Sequence, residues 1–234
     1  VIFGIGQIDH IVILPAGPGT VDGPVTVTVH ALDIGENIVT FFDSDISIGL
    51  TGSATATNSG LIDIVSGVGT IDISDTVMET VVLSLVNTQG LDAGIDITST
   101  QNLFFNHGVA THFAVIDPTD GVTGAVNAIE LEARDQHENR ALDIQTDVDL
   151  TTTGSADGDG TINIINGYAS VNVTSSVEET VWLLLSNGAP LATNAANSSQ
   201  DIWIQAAVAT QLVIIDPIDV SVDDVATIRV EAQD

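Results

Sequence analysis

Aliphatic and polar residues alternate along this chain in short runs with a period of two. Val25-Thr26-Val27-Thr28-Val29 alternates strictly, as do Ile129-Glu130-Leu131-Glu132-Ala133 and Ile228-Arg229-Val230-Glu231-Ala232. Successive side chains of a strand point to opposite faces, so each run offers one apolar and one polar face. Further strands are predicted at 61–65 and 70–74, joined as a hairpin. Their counterparts lie at 161–165 and 169–174, joined through Asn166-Gly167. Asn-Gly is a strong hairpin signal because both residues tolerate positive φ. Strands at 81–85 and 181–185 follow, and Leu103-Phe104-Phe105 and Ile202-Trp203-Ile204 read as closing strands. No stretch combines helical spacing with caps. The pattern predicts an all-β chain.

The runs recur with a period of about 100 residues, the signature of a repeat architecture. Thr51-Gly52-Ser53-Ala54 returns as Thr153-Gly154-Ser155-Ala156, and Glu79-Thr80-Val81 returns as Glu179-Thr180-Val181. Val109-Ala110-Thr111 returns as Val208-Ala209-Thr210. The spacing drifts where 55–60 becomes the shorter 157–160, and such length changes belong in loops. Ile116-Asp117-Pro118 and Glu132-Ala133-Arg134-Asp135 match Ile215-Asp216-Pro217 and Glu231-Ala232-Gln233-Asp234, so a third copy has begun by then. Val1-Ile2-Phe3 matches the closing strands. The expected organisation is a closing strand at 1–7, modules at 8–109 and 110–208, and the opening strands of a third module at 209–234. Roughly seven short strands in about 100 residues indicate tandem Ig-like β-sandwich modules.

The stretch 25–85, with Asp33-x-x-Glu36-Asn37, Thr51-Gly52-Ser53-Ala54 and Glu79-Thr80-Val81, resembles bacterial Ig-like repeats of the invasin/intimin type. The second module repeats the pattern with Asp135-x-x-Glu138-Asn139. The family commonly has Asp-x-x-Gly-Asn in that turn, and here Glu36 and Glu138 stand in place of the glycine. The resemblance covers nearly the whole chain, through motifs that mark turns and packing. It implies an extracellular or cell-surface prokaryotic protein whose modules form stalks, adhesins or fibres. It implies no catalytic residues.

Composition narrows the function. Hydrophobic residues make up 44% of the 234, enough for packed cores, while aromatics are only 4%. Thirty-two acidic residues face three basic ones, Arg134, Arg140 and Arg229, for a formal net charge of −29. Such a surface repels phosphate backbones and anionic lipid, which argues against nucleic acid and membrane partners. Either bound Ca²⁺ neutralises part of that charge or the protein lives in saline surroundings. There is no cysteine, so disulfides, thiol nucleophiles and Cys-based zinc sites are excluded. Without lysine, intramolecular Lys–Asn or Lys–Asp isopeptide bonds cannot form within these residues. No run approaches the ~20 apolar residues of a membrane span.

Candidate chemistry is sparse. His10, His30, His107, His112 and His137 are scattered, and no phosphate loop, nucleophile elbow or His-x-x-x-His pair appears. No enzyme is expected. Calcium is the leading cofactor candidate, because hard cations take carboxylate, amide and carbonyl oxygens. Asp33, Glu36 and Asn37 crowd one turn, and Asp135, Glu138 and Asn139 crowd its equivalent. Asp45 and Asp147 align with each other, and Asp117 and Asp216 each precede a proline near a module start. The competing explanation is that Asp and Asn simply favour turns. Asn172-Val173-Thr174 and Asn197-Ser198-Ser199 are glycosylation-type triplets, common by chance in such a composition. Trp182 and Trp203 suit a sugar platform, but Trp203 aligns with Phe104 in a closing strand, where core packing is expected.

Three functions fit these residues: a structural stalk, fibre or surface layer; an adhesin segment that binds a ligand directly; and a non-catalytic module of a secreted carbohydrate-active enzyme. The partners expected are neighbouring modules of the same chain, with lateral or head-to-tail self-association.

Overall fold

The computed structural model describes residues 6–215, 219–223 and 225–233. Two compact units result: Val1–Thr111 with Arg134–Leu142, and His112–Ala133 with Asp143–Asp234.

The first unit contains β1 (Ile8–Ile13), β2 (Gly19–Thr20), β3 (Val25–Asp33), β4 (Ile46–Leu50) and β5 (Thr55–Ala56). It continues with β6 (Leu61–Ile62), β7 (Ile64–Val65), β8 (Val68–Ser74), β9 (Thr80–Val86) and β10 (Thr100–Asn106). One sheet runs β1-β3-β8-β5 with β7 also on β8, and the other runs β2-β10-β9-β4-β6. Every other residue of β3 faces inward: Val27, Val29 and Ala31 are buried with Ile71 and Ile73 of β8. From the opposite sheet come Ile46, Ile48, Val81, Leu83, Leu103 and Phe105. After β1 the chain changes sheets, and β2 pairs parallel with β10. Two facing sheets with this order form an Ig-like sandwich.

The second unit repeats the plan with β11 (Ala110–Ile116), β12 (Gly121–Val122), β13 (Asn127–Asp135), β14 (Thr146–Thr152) and β15 (Gly160–Ile164). β16 (Tyr168–Val173), β17 (Glu179–Ser186) and β18 (Ser199–Gln205) complete it, in sheets β11-β13-β16 and β12-β18-β17-β14-β15. Its core is Phe113, Ile129, Leu131, Val148, Val181, Ile202, Ile204 and their neighbours. β19 (Gln211–Ile215) and β20 (Arg229–Gln233) pair with each other, from Gln211 opposite Gln233 to Ile215 opposite Arg229. Among the described residues there is no α-helix, and one short 3-10 turn spans Thr57–Gly60.

Two sequence expectations change. The predicted hairpins close only at their tips. β15 pairs with β14 and β16 pairs with β13, so the strands around Asn166-Gly167 belong to opposite sheets, bridged only between Ile165 and Tyr168. In the first unit β7 pairs antiparallel with β8 across Ser66-Gly67, a short hairpin, whereas β6 just before it pairs with β4 in the opposite sheet. The Asn-Gly turn does form with positive φ at both residues. It serves a crossing between sheets because each sheet has an open edge there to be covered. Secondly, Trp203 and Phe104 face outward, while Ile202 and Ile204, and Leu103 and Phe105, point inward.

The turn 134–142, placed by sequence in the second module, counts with the first unit. The reason is local: Asn139 Nδ2 donates to the Thr76 carbonyl at 2.9 Å, and its Oδ1 accepts the Met78 N–H at 2.9 Å. The expected closing strand at 1–7 lies mostly outside the described residues, as does Asp234.

Candidate functional site

The best-defined polar geometry sits in the Asp-x-x-Glu-Asn turns. Each follows a strand, β3 or β13, whose last residue is the aspartate. Asp33 Oδ1 accepts the N–H groups of Gly35 (2.9 Å) and Asn37 (3.0 Å) and the Asn37 amide (3.0 Å). Its Oδ2 accepts the Gly6 N–H at 2.7 Å. Asp135 does the same: Oδ1 takes His137 N–H (2.8 Å) and Asn139 N–H (2.9 Å), and Oδ2 takes Gly108 N–H (2.7 Å) and the Asn139 amide (3.1 Å). The Gly6 and Asn37 N–H groups hold the Asp33 carboxyl below the usual carboxylate range. Burial pushes Asp135 up, but the bonds from Gly108, Asn139 and His137 outweigh it, and that carboxyl too is held low.

This arrangement bears on calcium. A cation at either turn would share oxygens at which several N–H groups already point their positive ends. The turn carboxylates fit N–H donors and offer a cation few free lone pairs. Glu36 and Glu138 point elsewhere: Glu138 pairs with Arg134 at 3.2 Å, and Glu36 Oε2 stands 3.5 Å from His10 Nε2. Both glutamates have positive φ, 63° and 67°, the conformation that explains why glycine suits this position.

The remaining candidates are dispersed. Asp45 lines an open polar recess with Asp43, Asp92 and Gln89, and Asp43 Oδ1 accepts the Ser66 N–H at 2.6 Å. Asp147 lines another recess with Gln145, Thr146 and Asn163. Asp117 has positive φ just after β11, and Asp216 lies outside the described residues. Among the described residues, no three His, Asp or Glu side chains stand close enough together to hold a metal ion.

The histidines have separate surroundings. His10 Nδ1 is 3.0 Å from Asp9, His107 Nδ1 is 2.8 Å from the Gly108 carbonyl, His137 lies beside Gln136, and His112 is buried.

Sequence reasoning missed one feature and set another aside. Glu79 and Glu179 close the Thr-Gly-Ser-Ala loops by accepting the N–H of Ser53 (2.6 Å) and of Ser155 (3.0 Å). A Cβ on Gly52 or Gly154 would run into those carboxylates, and both glycines have positive φ, so the loop demands glycine twice over. The recurrence of Gly-Ser and Glu together was the available signal. The other feature is the outer face of β17 and β18. Thr180 lies opposite Trp203 and Trp182 opposite Asp201, which sets the two indoles diagonally on one face. They are 49% and 39% exposed. Val82 and Phe104 hold the same outward positions in the first unit.

No protein-family model matches this sequence, and neither does any curated protein. Among solved structures the chain is similar to FdeC, a broadly conserved Escherichia coli adhesin, at 18% identity over 91% of this chain and 70% of that one, with a TM-score of 0.46. It is similar to the D0-D1 domains of intimin, at 17% identity over 85% of this chain and 98% of that one, with a TM-score of 0.33. A β-glycosidase from Bacteroides vulgatus is similar over 86% of this chain and 25% of its own, at 11% identity and a TM-score of 0.36. With every score below 0.5, the assignment of both units as Ig-like sandwiches stands on their sheet order.

Proposed function

We propose that this chain is a non-catalytic, structural segment of an extracellular tandem Ig-like repeat protein that forms a cell-surface stalk, fibre or surface layer. One observation carries this reading. The strong polar geometry is duplicated between the copies, Asp33 with Asp135 and Glu79 with Glu179, and it is directed at the chain's own backbone N–H groups. Residues so used hold turns in shape, as a repeat under tension requires. The acidic surface, with a net charge of −29, keeps such a polymer soluble.

Immunogold labelling of intact cells that make the protein tests this. Antibodies against this chain are expected to decorate the cell exterior at a distance from the envelope. Label confined to the cytoplasm would sink the proposal. A second reading, direct ligand binding by this segment, is favoured by the outward Trp182 and Trp203. Fluorescence titration with neutral oligosaccharides tests it, since these are the chain's two tryptophans.

A further inference from the structure

The loop closed by Glu79 differs between the copies in one chemically important residue. In the first unit, Glu79 Oε1 accepts both the backbone N–H of Ser53 (2.6 Å) and approaches its hydroxyl (2.8 Å). The same hydroxyl oxygen stands 2.7 Å from Asp75 Oδ1. A serine hydroxyl has a single proton, so it can satisfy one of these two carboxylates and not both. Asp75 Oδ1 also accepts the Val77 N–H at 2.9 Å, whereas Asp75 Oδ2 is buried with no hydrogen-bond partner. The residue as a whole is only 3% exposed. Among the described residues neither carboxylate is paired with an arginine, and the chain has no lysine. A buried carboxylate oxygen without a donor is unfavourable and calls for a positive partner.

In the second unit no second carboxylate competes. Ser175 takes the place of Asp75, and its hydroxyl stands 2.7 Å from Glu179 Oε1 and 3.1 Å from the neutral Val177 carbonyl while accepting the Val177 N–H at 3.1 Å. There one carboxylate meets matched donors, with the Ser155 N–H completing the set.

The geometry points to a Ca²⁺ site in the first unit, held by Asp75 and Glu79 with the Ser53 hydroxyl oxygen between them. Asp75 lines a recess of about 100 Å³ together with Ser53, Thr55, Ser74 and Thr76, all of which carry oxygen ligands. Water occupies about 30 Å³ per molecule, so the recess accommodates an ion with part of its hydration shell. Calcium takes six to eight oxygens and tolerates water among them, which suits two carboxylates, a hydroxyl and carbonyls. With two carboxylates, affinity is expected on the order of 10⁻⁴ M or weaker, in the range of extracellular calcium modules. The site is independent of the stalk reading, and its loss would leave the surface-labelling result unchanged.

Calorimetric titration of the 234-residue chain with CaCl₂ tests the site, alongside Asp75→Ser and Ser175→Asp. Asp75→Ser installs the residue the second copy already uses, and Ser175→Asp places the missing carboxylate beside Glu179. Wild type is expected to bind one Ca²⁺ and Ser175→Asp to bind two, with Asp75→Ser weakened at least about tenfold. Circular dichroism in EDTA checks that the variants fold. Binding that persists unchanged in Asp75→Ser would overturn the proposal, as would wild type without saturable binding up to roughly 10 mM, well above the expected range. A wild-type melting temperature that does not respond to calcium would overturn it equally.

Discussion

The N–H of Gly108 donates to Asp135 Oδ2 over 2.7 Å, bridging 27 residues of sequence, and Gly6 makes the same bond to Asp33 at the same distance and separation. Both carboxylates are thereby held below their usual range. A carboxyl whose folded pKa is depressed contributes stability above its unfolded pKa and loses it as pH falls through the folded value. The contribution of these two is therefore complete above about pH 4 and disappears below it. Melting temperatures from neutral to acidic pH should fall less steeply in an Asp33→Asn, Asp135→Asn double variant than in wild type. Parallel curves would show that the turns contribute nothing to acid sensitivity.

Removal of Asp135 should also be felt at neutral pH. Asp135→Ala leaves the buried N–H of Gly108 and the part-buried N–H groups of His137 and Asn139 without their acceptor. Orphaned buried donors cost about 1–3 kcal/mol. Urea unfolding is expected to show the midpoint lowered accordingly with an unchanged slope, and a loss below ~0.5 kcal/mol would mean that water replaces the carboxylate.

Glu36 makes an unusual demand on its backbone, with φ at 63° and its carboxylate 3.5 Å from His10 Nε2 as partial recompense. Glu36→Gly relieves a left-handed conformation that costs an L-residue about 1 kcal/mol. A small rise in melting temperature is the expected result. A fall would show that the His10 contact outweighs the strain.

Outward positions of β17 and β18 should tolerate truncation far better than an inward one. Ile202→Ala opens the core and is expected to cost about 2–5 kcal/mol. Trp203→Ala and Trp182→Ala remove side chains that protrude from the sheet, and each should stay within about 1 kcal/mol of wild type. Chemical denaturation separates the cases, and a Trp203 loss as large as that of Ile202 would place the indole in the core after all.

Much of the fold was legible because a strand's side chains alternate with period two, a rule that holds before any partner is chosen. Val27 and Val29, and Ile129, Leu131 and Ala133, occupy the buried face their alternation foretold. The repeat was equally plain, since Gly52 and Glu79 recur as Gly154 and Glu179 and build the same loop twice. Asp33 and Asn37 were rightly seen to share a turn, because their spacing of four residues is local.

What lay beyond the sequence was every choice between partners far apart along the chain. Alternation showed that residues 161–165 and 169–174 are extended, but not that they join different sheets, which depends on where β13 and β14 leave open edges. Composition counted the carboxylates, yet whether an oxygen of Asp33 meets a cation or the Gly6 N–H is fixed by the path of the backbone around it. Asp75 shows the same limit. Its difference from Ser175 went unread in the sequence, and only the packing that buries its Oδ2 beside Ser53 and Glu79 turns that difference into chemistry, because desolvation is a property of the folded chain.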